Sequence, residues 1–476
     1  MQLTTTQDSG SMLSSLPGVL DEIRKIYQDY PHPWIIGYSG GKDSTSALQL
    51  VWSAIEGLPI EKRNKKVYVI SSDTLVETPM IVDHVTENLR LINEAANAKQ
   101  MPFVARQLTP ATQDTFWVNL IGRGYPAPTS IFRWCTDRLK IQPSNRFILN
   151  KVSENGEVIL VLGVRRGESM TRDQVINMHR VRGHKLARHG QLAGAWVYMP
   201  IESFTTDDVW TYLIQTQSPW GANNRNLSSL YRSAQSGECP LVVDKFTPSC
   251  GNSRFGCWTC TVVDRDRSME AMIDSGEEWM IPLLEFRDWL SSTQDPQVKP
   301  SQREYRSRNG TIKITKDGQL RYRTYKLDFS KQMLERLLET QRQVQDFKPD
   351  FELISDEELQ LIRQIWITER QDWADSLPAI FQGVLGRTLA WQQVDLVRPS
   401  EVEAKTLEEV SQKHSVPLQL VQKLLDAEWQ NYGMRRRTTI HTKIQKVLNE
   451  DWRSFDEVRT EMEDRKNQVL STGKKS

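Results

Sequence analysis

Through its first two hundred residues the chain alternates between short apolar runs and amphipathic stretches. WIIGYS (34–39) is an apolar run ending in glycines, and DSTSALQLVWSAI (43–55) follows with apolar positions at helical spacing. KKVYVISSD (65–73) reads as a second strand, followed by an amphipathic stretch from Pro79 to about Ala98. FVARQL (103–108) is a third strand, and EVILVLGVR (157–165) is a fourth and the most apolar. Strands separated in this way by helical segments predict the α/β class: a parallel sheet with helices on both faces. Ligands of such sheets bind at the carboxyl ends of the strands.

The pattern then changes. From about 216 to 267 the chain is rich in Pro, Gly, Ser and Cys with little periodicity, which predicts an irregular, crosslinked segment. Residues 311–327 read as a β-hairpin with Asp317-Gly318 in the turn. Beyond about 328 the chain is charged and helical, with a break at Arg398-Pro399-Ser400 because proline cannot continue a helix interior. Met199-Pro200-Ile201 and Asp207-Asp208-Val209-Trp210 read as a closing strand and helix of the α/β region. The expected organisation is an N-terminal lead (1–30), an α/β domain (31–215), a cysteine-rich segment (216–270), a basic hairpin region (271–345) and a helical C-terminal region (346–476).

A length of 476 residues accommodates two to four domains. Hydrophobic residues at 38% and charged residues at 25% exclude disordered and collagen-like classes. With 61 Lys+Arg against 60 Asp+Glu, the net charge of +1 excludes a protein that coats nucleic acid by bulk charge, so any such contact comes from local patches. The first residues lack the basic start and apolar run of a signal peptide, and no window approaches ~18 uninterrupted apolar residues. A cytoplasmic location without a membrane partner is expected. In that compartment five cysteines read as metal ligands or reactive thiols, not as a disulfide framework.

The sharpest local signal is Ser39-Gly40-Gly41-Lys42-Asp43-Ser44, between a strand and a helix. Glycines there let backbone N–H groups approach an anion, the helix N-terminus adds a favourable dipole, and Lys42 is a compact cation for phosphate oxygens. It is not a Walker A loop, because Ile36 and Asp43 occupy the positions where that motif needs Gly and Ser/Thr.

SGGKDS resembles the signature of the ATP pyrophosphatases, the PP-loop family that includes phosphoadenosine phosphosulfate (PAPS) reductases, sulfate adenylyltransferase small subunits and tRNA thiolases. The resemblance implies that Ser39, Gly40, Gly41, Lys42, Asp43 and Ser44 grip the β,γ-pyrophosphate of ATP, with Mg²⁺ bridging the phosphates, while the α-phosphate is attacked. Asp73-Thr74, ending the second strand, stand where the family contacts adenosine. Gly163-Val164-Arg165-Arg166-Gly167-Glu168-Ser169, with Arg172, resembles the family's GxRxxES element. Lys42, Asp43 and Arg165 are the catalytic residues it implies, with Arg165 and Arg172 balancing charge on the pyrophosphate.

Cys239, Cys250, Cys257 and Cys260 cluster at the end of the irregular segment, finishing in a CxxC pair, and predict a metal site with four soft ligands. Zinc and a [4Fe–4S] cluster both suit them; the resemblance to PAPS and adenylylsulfate reductases implies the cluster. Cys135 stands apart in Phe132-Arg133-Trp134-Cys135, resembling the segment where adenylylsulfate reductases carry active-site cysteines. Arg133, Arg138 and Lys140 are expected to favour its thiolate. It is a candidate sulfur carrier, or a ligand replacing Cys239 or Cys250.

Between Arg303 and Lys326 basic residues interleave with Tyr305, Tyr322 and Tyr325, a mixture able to track a phosphate backbone. Arg435-Arg436-Arg437 is a further basic run. The motif order, with DTLVETP, FRWC, GVRRGES and the cysteine spacing, most resembles the DNA phosphorothioation sulfurtransferases of the PP-loop family, the DndC group. That implies adenylation of a DNA backbone phosphate (ATP to AMP and pyrophosphate), sulfur from a cysteine desulfurase, and further subunits of a phosphorothioation complex as partners. A reductase of adenylylated sulfate and an ATP-dependent tRNA thiolase are the alternatives.

Overall fold

The computed structural model describes residues 12–167, 185–233, 256–391, 401–429 and 438–473. Contacts divide the chain into two compact units. Unit 1 comprises 1–111, 133–260 and 265–280; unit 2 comprises 112–132, 261–264 and 281–476.

Unit 1 is an α/β fold around a six-stranded sheet of order β3-β2-β1-β4-β6-β5. The strands are β1 (Trp34–Gly37), β2 (Val67–Ser72), β3 (Phe103–Leu108), β4 (Val158–Val161), β5 (Ala187–Arg188) and β6 (Ala195–Tyr198). All pairings are parallel except β5 with β6. Because buried parallel strands are apolar on both faces, their side chains divide by alternation. Trp34 and Ile36, Val67 and Val69, and Ile159 and Val161 enter one core. Ile35, Ile70, Val158 and Leu160 enter the other. The first core is closed by the helices α1 (Met12–Asp29), α2 (Lys42–Glu56) and α3 (Pro79–Ala98), the second by α4 (Gln142–Asn155).

The chain runs outward from β1 through β2 to β3 and then returns to β4 on the other side of β1, so a topological switch point lies between β1 and β4. Pro79 at the first position of α3 presets the helical φ and lacks a donor that would go unused there. β4 stops well short of the expected 165. A Cβ on Gly163 would lie 2.7 Å from the Asp43 carbonyl, so the strand's end is pressed against the start of α2. The closing strand and helix form as β6 and Thr206–Gln215, the latter opened by a reciprocal capping box of Thr205 and Asp208.

The segment expected to be irregular from 216 contains a helix at Asn224–Ser233. Leu227, Leu230 and Tyr231, at i, i+3 and i+4, turn one face into the first core while the remaining positions are polar.

Unit 2 is helical, as its Trp and Leu spacing predicts. Leu327–Gln345 buries Phe329, Met333, Leu334, Leu337 and Leu338, and Asp356–Glu369 opens with a Ser355–Glu358 capping box. Its buried tryptophans are tied to backbone: Trp117 Nε1 donates to Leu353 O (2.6 Å) and Trp366 Nε1 to Ile121 O (3.0 Å). Helices Glu401–Lys413, Leu418–Trp429, Thr438–Leu448 and Phe455–Gly473 follow. The expected break at Arg398-Pro399-Ser400 and the run Arg435–Arg437 lie outside the described residues.

The expected hairpin over 311–327 differs in form. Instead of two continuous strands it makes isolated antiparallel bridges, Ile314 opposite Leu320 and, on its other side, Ile312 opposite Arg306. Pairing is thus divided between two neighbours along one short segment. Gly318, at φ +72°, turns the chain. Among the described residues no helix is long and apolar enough to cross a membrane.

Candidate active site

The SGGKDS segment is a strand-to-helix turn at the switch point. Gly40 takes φ +73°, and a Cβ there would meet Val85 Cγ2 at 2.6 Å, so both conformation and space require glycine. The turn is braced internally: Ser39 N–H donates to Ser44 Oγ (3.2 Å), the two serine hydroxyls lie 3.1 Å apart, and Ser44 Oγ donates to Gly41 O (3.0 Å). Ser44 thus serves the turn's own geometry.

Asp43 is the hub of the site's charge. Its Oδ1 accepts from Arg165 Nε at 2.6 Å and its Oδ2 from Lys42 Nζ at 3.1 Å. Lys42 and Arg165 are each only 7% exposed, so two buried cations share one partly buried anion. The structure brings together Lys42, Asp43 and Arg165, from the turn and from the segment after β4; Cys135, the fourth residue expected to be catalytic, is not part of this cluster. Glu168, Ser169 and Arg172 lie outside the described residues.

Beside this triad a cavity of about 540 Å³ opens at the carboxyl ends of β1, β2 and β4. Ser39 carries the turn onto its wall, Asp73 and Ser72 line the β2 side, and Ser144 and Asn145 come from α4. Asp73 accepts from Leu75 N–H (2.8 Å) and Gln107 Nε2 (3.1 Å); burial raises its carboxyl above the usual range, with Glu77 adding to the effect. Thr74 is fully buried and its hydroxyl lies 3.3 Å from Cys257 Sγ.

That contact belongs to a second junction. The loop after β2 pairs with 256–260: Thr78 N–H donates to Gly256 O (3.2 Å), Trp258 N–H to Val76 O (3.0 Å), and Glu77 bridges Cys257. The CxxC pair is therefore pinned beside Asp73-Thr74. Cys135 lies within electrostatic reach of both Cys260 and Cys257. All three cysteines are partly buried. The expected activation of Cys135 is not seen. Burial and the neighbouring Cys260 raise its pKa, while Lys140 is engaged at 2.9 Å by Glu77. Burial opposes the charge of Lys140, but Cys257, Glu77 and Cys135 outweigh it and hold the ammonium protonated. Three sulfurs in one neighbourhood suit a soft metal in donor chemistry. Among the described residues, however, no group of three His, Cys, Asp or Glu is placed to hold an ion. Cys239 and Cys250 lie outside the described residues.

Two further residues belong to the site. Tyr231 Oη accepts the N–H of Lys42 (3.2 Å), one of the free donors at the start of α2, and the Lys42 ammonium lies 5.5 Å from its ring centroid. His84 on α3 hydrogen-bonds the Gly40 backbone, and burial lowers its pKa. Neither belongs to a sequence motif; only the tyrosine's apolar register on its helix hints at burial.

A phosphate turn at the switch point of a parallel sheet, with a cavity at the strand ends, defines a nucleotide-binding domain of the PP-loop type. The family model for the phosphoadenosine phosphosulfate reductase domain matches residues 33–263, and the chain carries a PAPS reductase-like domain there. An uncharacterised protein of Methanocaldococcus jannaschii, MJ0066, is 23% identical over 217 residues, covering 44% of this chain. The chain spans 38% of the length of that relative. Among solved structures, a PAPS reductase from Candida auris in complex with phosphate is 14% identical, covers 47% of this chain and 93% of its own, and has a TM-score of 0.28. The FMN adenylyltransferase of Candida glabrata with FAD and inorganic pyrophosphate is 12% identical, covering 52% and 74%, with a TM-score of 0.29.

Proposed function

We propose that the protein is an ATP-dependent sulfurtransferase that adenylates a DNA backbone phosphate and supports replacement of a non-bridging oxygen by sulfur. The observation that carries this reading is the Lys42–Asp43–Arg165 triad beside a cavity that also reaches the residues next to the CxxC pair. A phosphodiester has no good leaving group among its non-bridging oxygens. In the first step one of them attacks the α-phosphorus of ATP, pyrophosphate departs, and a mixed anhydride with AMP forms. In the second, hydrosulfide attacks the DNA phosphorus and AMP leaves with the original oxygen. A persulfide from a cysteine desulfurase does the same, provided a second thiol then opens the resulting disulfide.

The chain's own residues bind and orient. Ser39, Gly40 and Gly41 would present the turn to the pyrophosphate, and Lys42 and Arg165 would neutralise its growing charge, to which Mg²⁺, when bound, would add further positive charge. Asp43 keeps both cations aimed, and Asp73 lies where an adenosine hydroxyl or amine would bond. A [4Fe–4S] cluster, when bound, would supply redox chemistry or sulfur, whereas zinc would only hold the thiolates together. Cys257 and Cys260 would hold either metal group together with Cys239 and Cys250, or with Cys135 in place of one of those two. The location proposed is the cytoplasm, with other phosphorothioation subunits as partners.

The PAPS reductase match favours a second reading, reduction of adenylylated sulfate. Supplied with ATP, DNA and a sulfide source, the enzyme is expected to release AMP and pyrophosphate. K42A is expected to lower pyrophosphate release at least a hundredfold. Release of ADP and orthophosphate, or unimpaired K42A, overturns the proposal, and thiol-dependent sulfite production favours the reductase.

A further inference from the structure

Unit 2 contains a groove of about 420 Å³ between the 311–321 hairpin and the start of the last helix. Its walls carry five cations, Lys313, Lys316, Arg321, Arg453 and Arg465, against one carboxylate, Glu461. We infer that this groove is a docking site for the phosphodiester backbone of a nucleic acid.

The register of the hairpin makes the argument. Ile314 stands opposite Leu320, and Arg321 N–H donates to Lys313 O (3.0 Å), so Lys313 and Arg321 face each other directly across the pair. Like charges placed that way repel, and side chains free to choose would be apolar or of opposite sign. Neither makes an ion pair among the described residues. Asp317 in the turn feels Arg321 but is fixed chiefly by Thr315. Lys316, exposed in the same turn, adds a third charge. An external anion between them relieves the repulsion.

The opposite wall is preorganised. Arg453 is gripped by both oxygens of Asp451 (2.8 and 2.6 Å) and by Glu461 (2.6 Å). Arg465 donates to Glu461 (2.6 Å) and Ile314 O (3.1 Å), tying the last helix to the hairpin. Both arginines stay about two-fifths exposed (42% and 40%), so guanidinium edges remain available in fixed positions. Gly318 seals the joint: a Cβ there would lie 2.6 Å from Met462 O. Five cations spread over both walls fit a chain of phosphates better than a single one. The choice of nucleic acid over an acidic peptide rests on the proposed function, which needs a polynucleotide held by this chain.

The test uses the full chain and its K313Q/K316Q/R321Q variant, three exposed changes, with thermal melting and calorimetric binding of ATP as controls for folding. Binding to a labelled DNA duplex is followed by anisotropy across a salt series, with tRNA and polyglutamate as competitors. The expected result is a loss of affinity of about tenfold or more, with the log–log salt slope flattened by about 2 to 3. If the variant binds DNA with the parental affinity and slope, the groove is overturned while the DNA reading stands. If binding through these residues is seen for tRNA and not DNA, the groove stands and the substrate reading falls. Displacement by polyglutamate at equal charge concentration overturns the nucleic-acid assignment in favour of an acidic protein.

Discussion

In unit 1, Lys42 and Arg165 share one partly buried carboxylate, whereas in unit 2 the hairpin sets Lys313 across from Arg321 with no ion pair for either among the described residues. Both regions carry positive charge toward an anion, but they handle its desolvation differently. Lys42 and Arg165 are almost fully buried, and an unpaired cation there would be costly, so Asp43 accompanies them. Lys313, Lys316 and Arg321 are exposed, where water covers the charge and no internal anion is required. The difference fits the two proposals, a site that binds and releases a small anion in every cycle and a surface that holds a long one.

The comparison breaks most visibly at Gly163. The closeness of β4's end to the Asp43 backbone is what lets Arg165 reach the carboxylate, since a Cβ would also lie 2.8 Å from Ser44 Cα. Backbone cannot rotate away as a side chain can. G163A is expected to cost about 1–3 kcal/mol of stability, by the usual penalty for overpacking, and to lower ATP cleavage by about tenfold or more. DNA binding through unit 2 should be unchanged. Denaturant titration, pyrophosphate release and anisotropy on the same preparation check this, and a variant with full turnover would detach Arg165 from the site's chemistry.

A smaller effect is expected at Tyr231. Its hydroxyl occupies the Lys42 N–H, a donor that a phosphate oxygen would also seek. Y231F removes the competitor and leaves the ring against Trp210, whose centroid is 5.1 Å away. The variant should lose about 1 kcal/mol of stability with the buried hydrogen bond, and bind pyrophosphate a few-fold more tightly. Calorimetric titration with pyrophosphate reads the affinity. Weaker binding would instead make the hydroxyl a phosphate ligand.

The sheet and the phosphate turn were legible because their signals are local. β1 and β4 are continuous apolar runs, α3 begins at its proline, and Gly40 occupies a conformation that favours glycine. What escaped depends on register or on distant chain. Tyr231 lies on a ten-residue helix that shows three apolar positions among polar ones, so its composition looks like loop. The Lys313–Arg321 opposition needs the turn's pairing to be known, and the second wall of that groove comes from Arg453 and Arg465. Cys135 was expected to be activated by basic neighbours along the chain, but burial and the other cysteines, brought near only by folding, set its character.

The finest contrast concerns pH. His84 touches the phosphate turn through Gly40, whereas the lining of the unit 2 groove includes no histidine. Burial disfavours the imidazolium, and the bond to Gly40 only partly offsets this, so the folded-state pKa lies below the ordinary value of 6.5. Over that interval the unfolded chain binds more protons than the folded one, and stability rises with pH. The contribution is complete above the unfolded pKa and is lost as pH falls through the folded one. Thermal melting of unit 1 and nucleotide affinity should therefore decline together on the acid side of 6.5 in the parent protein. H84N should flatten that limb in both, while DNA binding at constant salt keeps its profile. A parallel decline in H84N would assign the acid limb to other groups, of which the raised carboxyl of Asp73 is the nearest on the cavity wall.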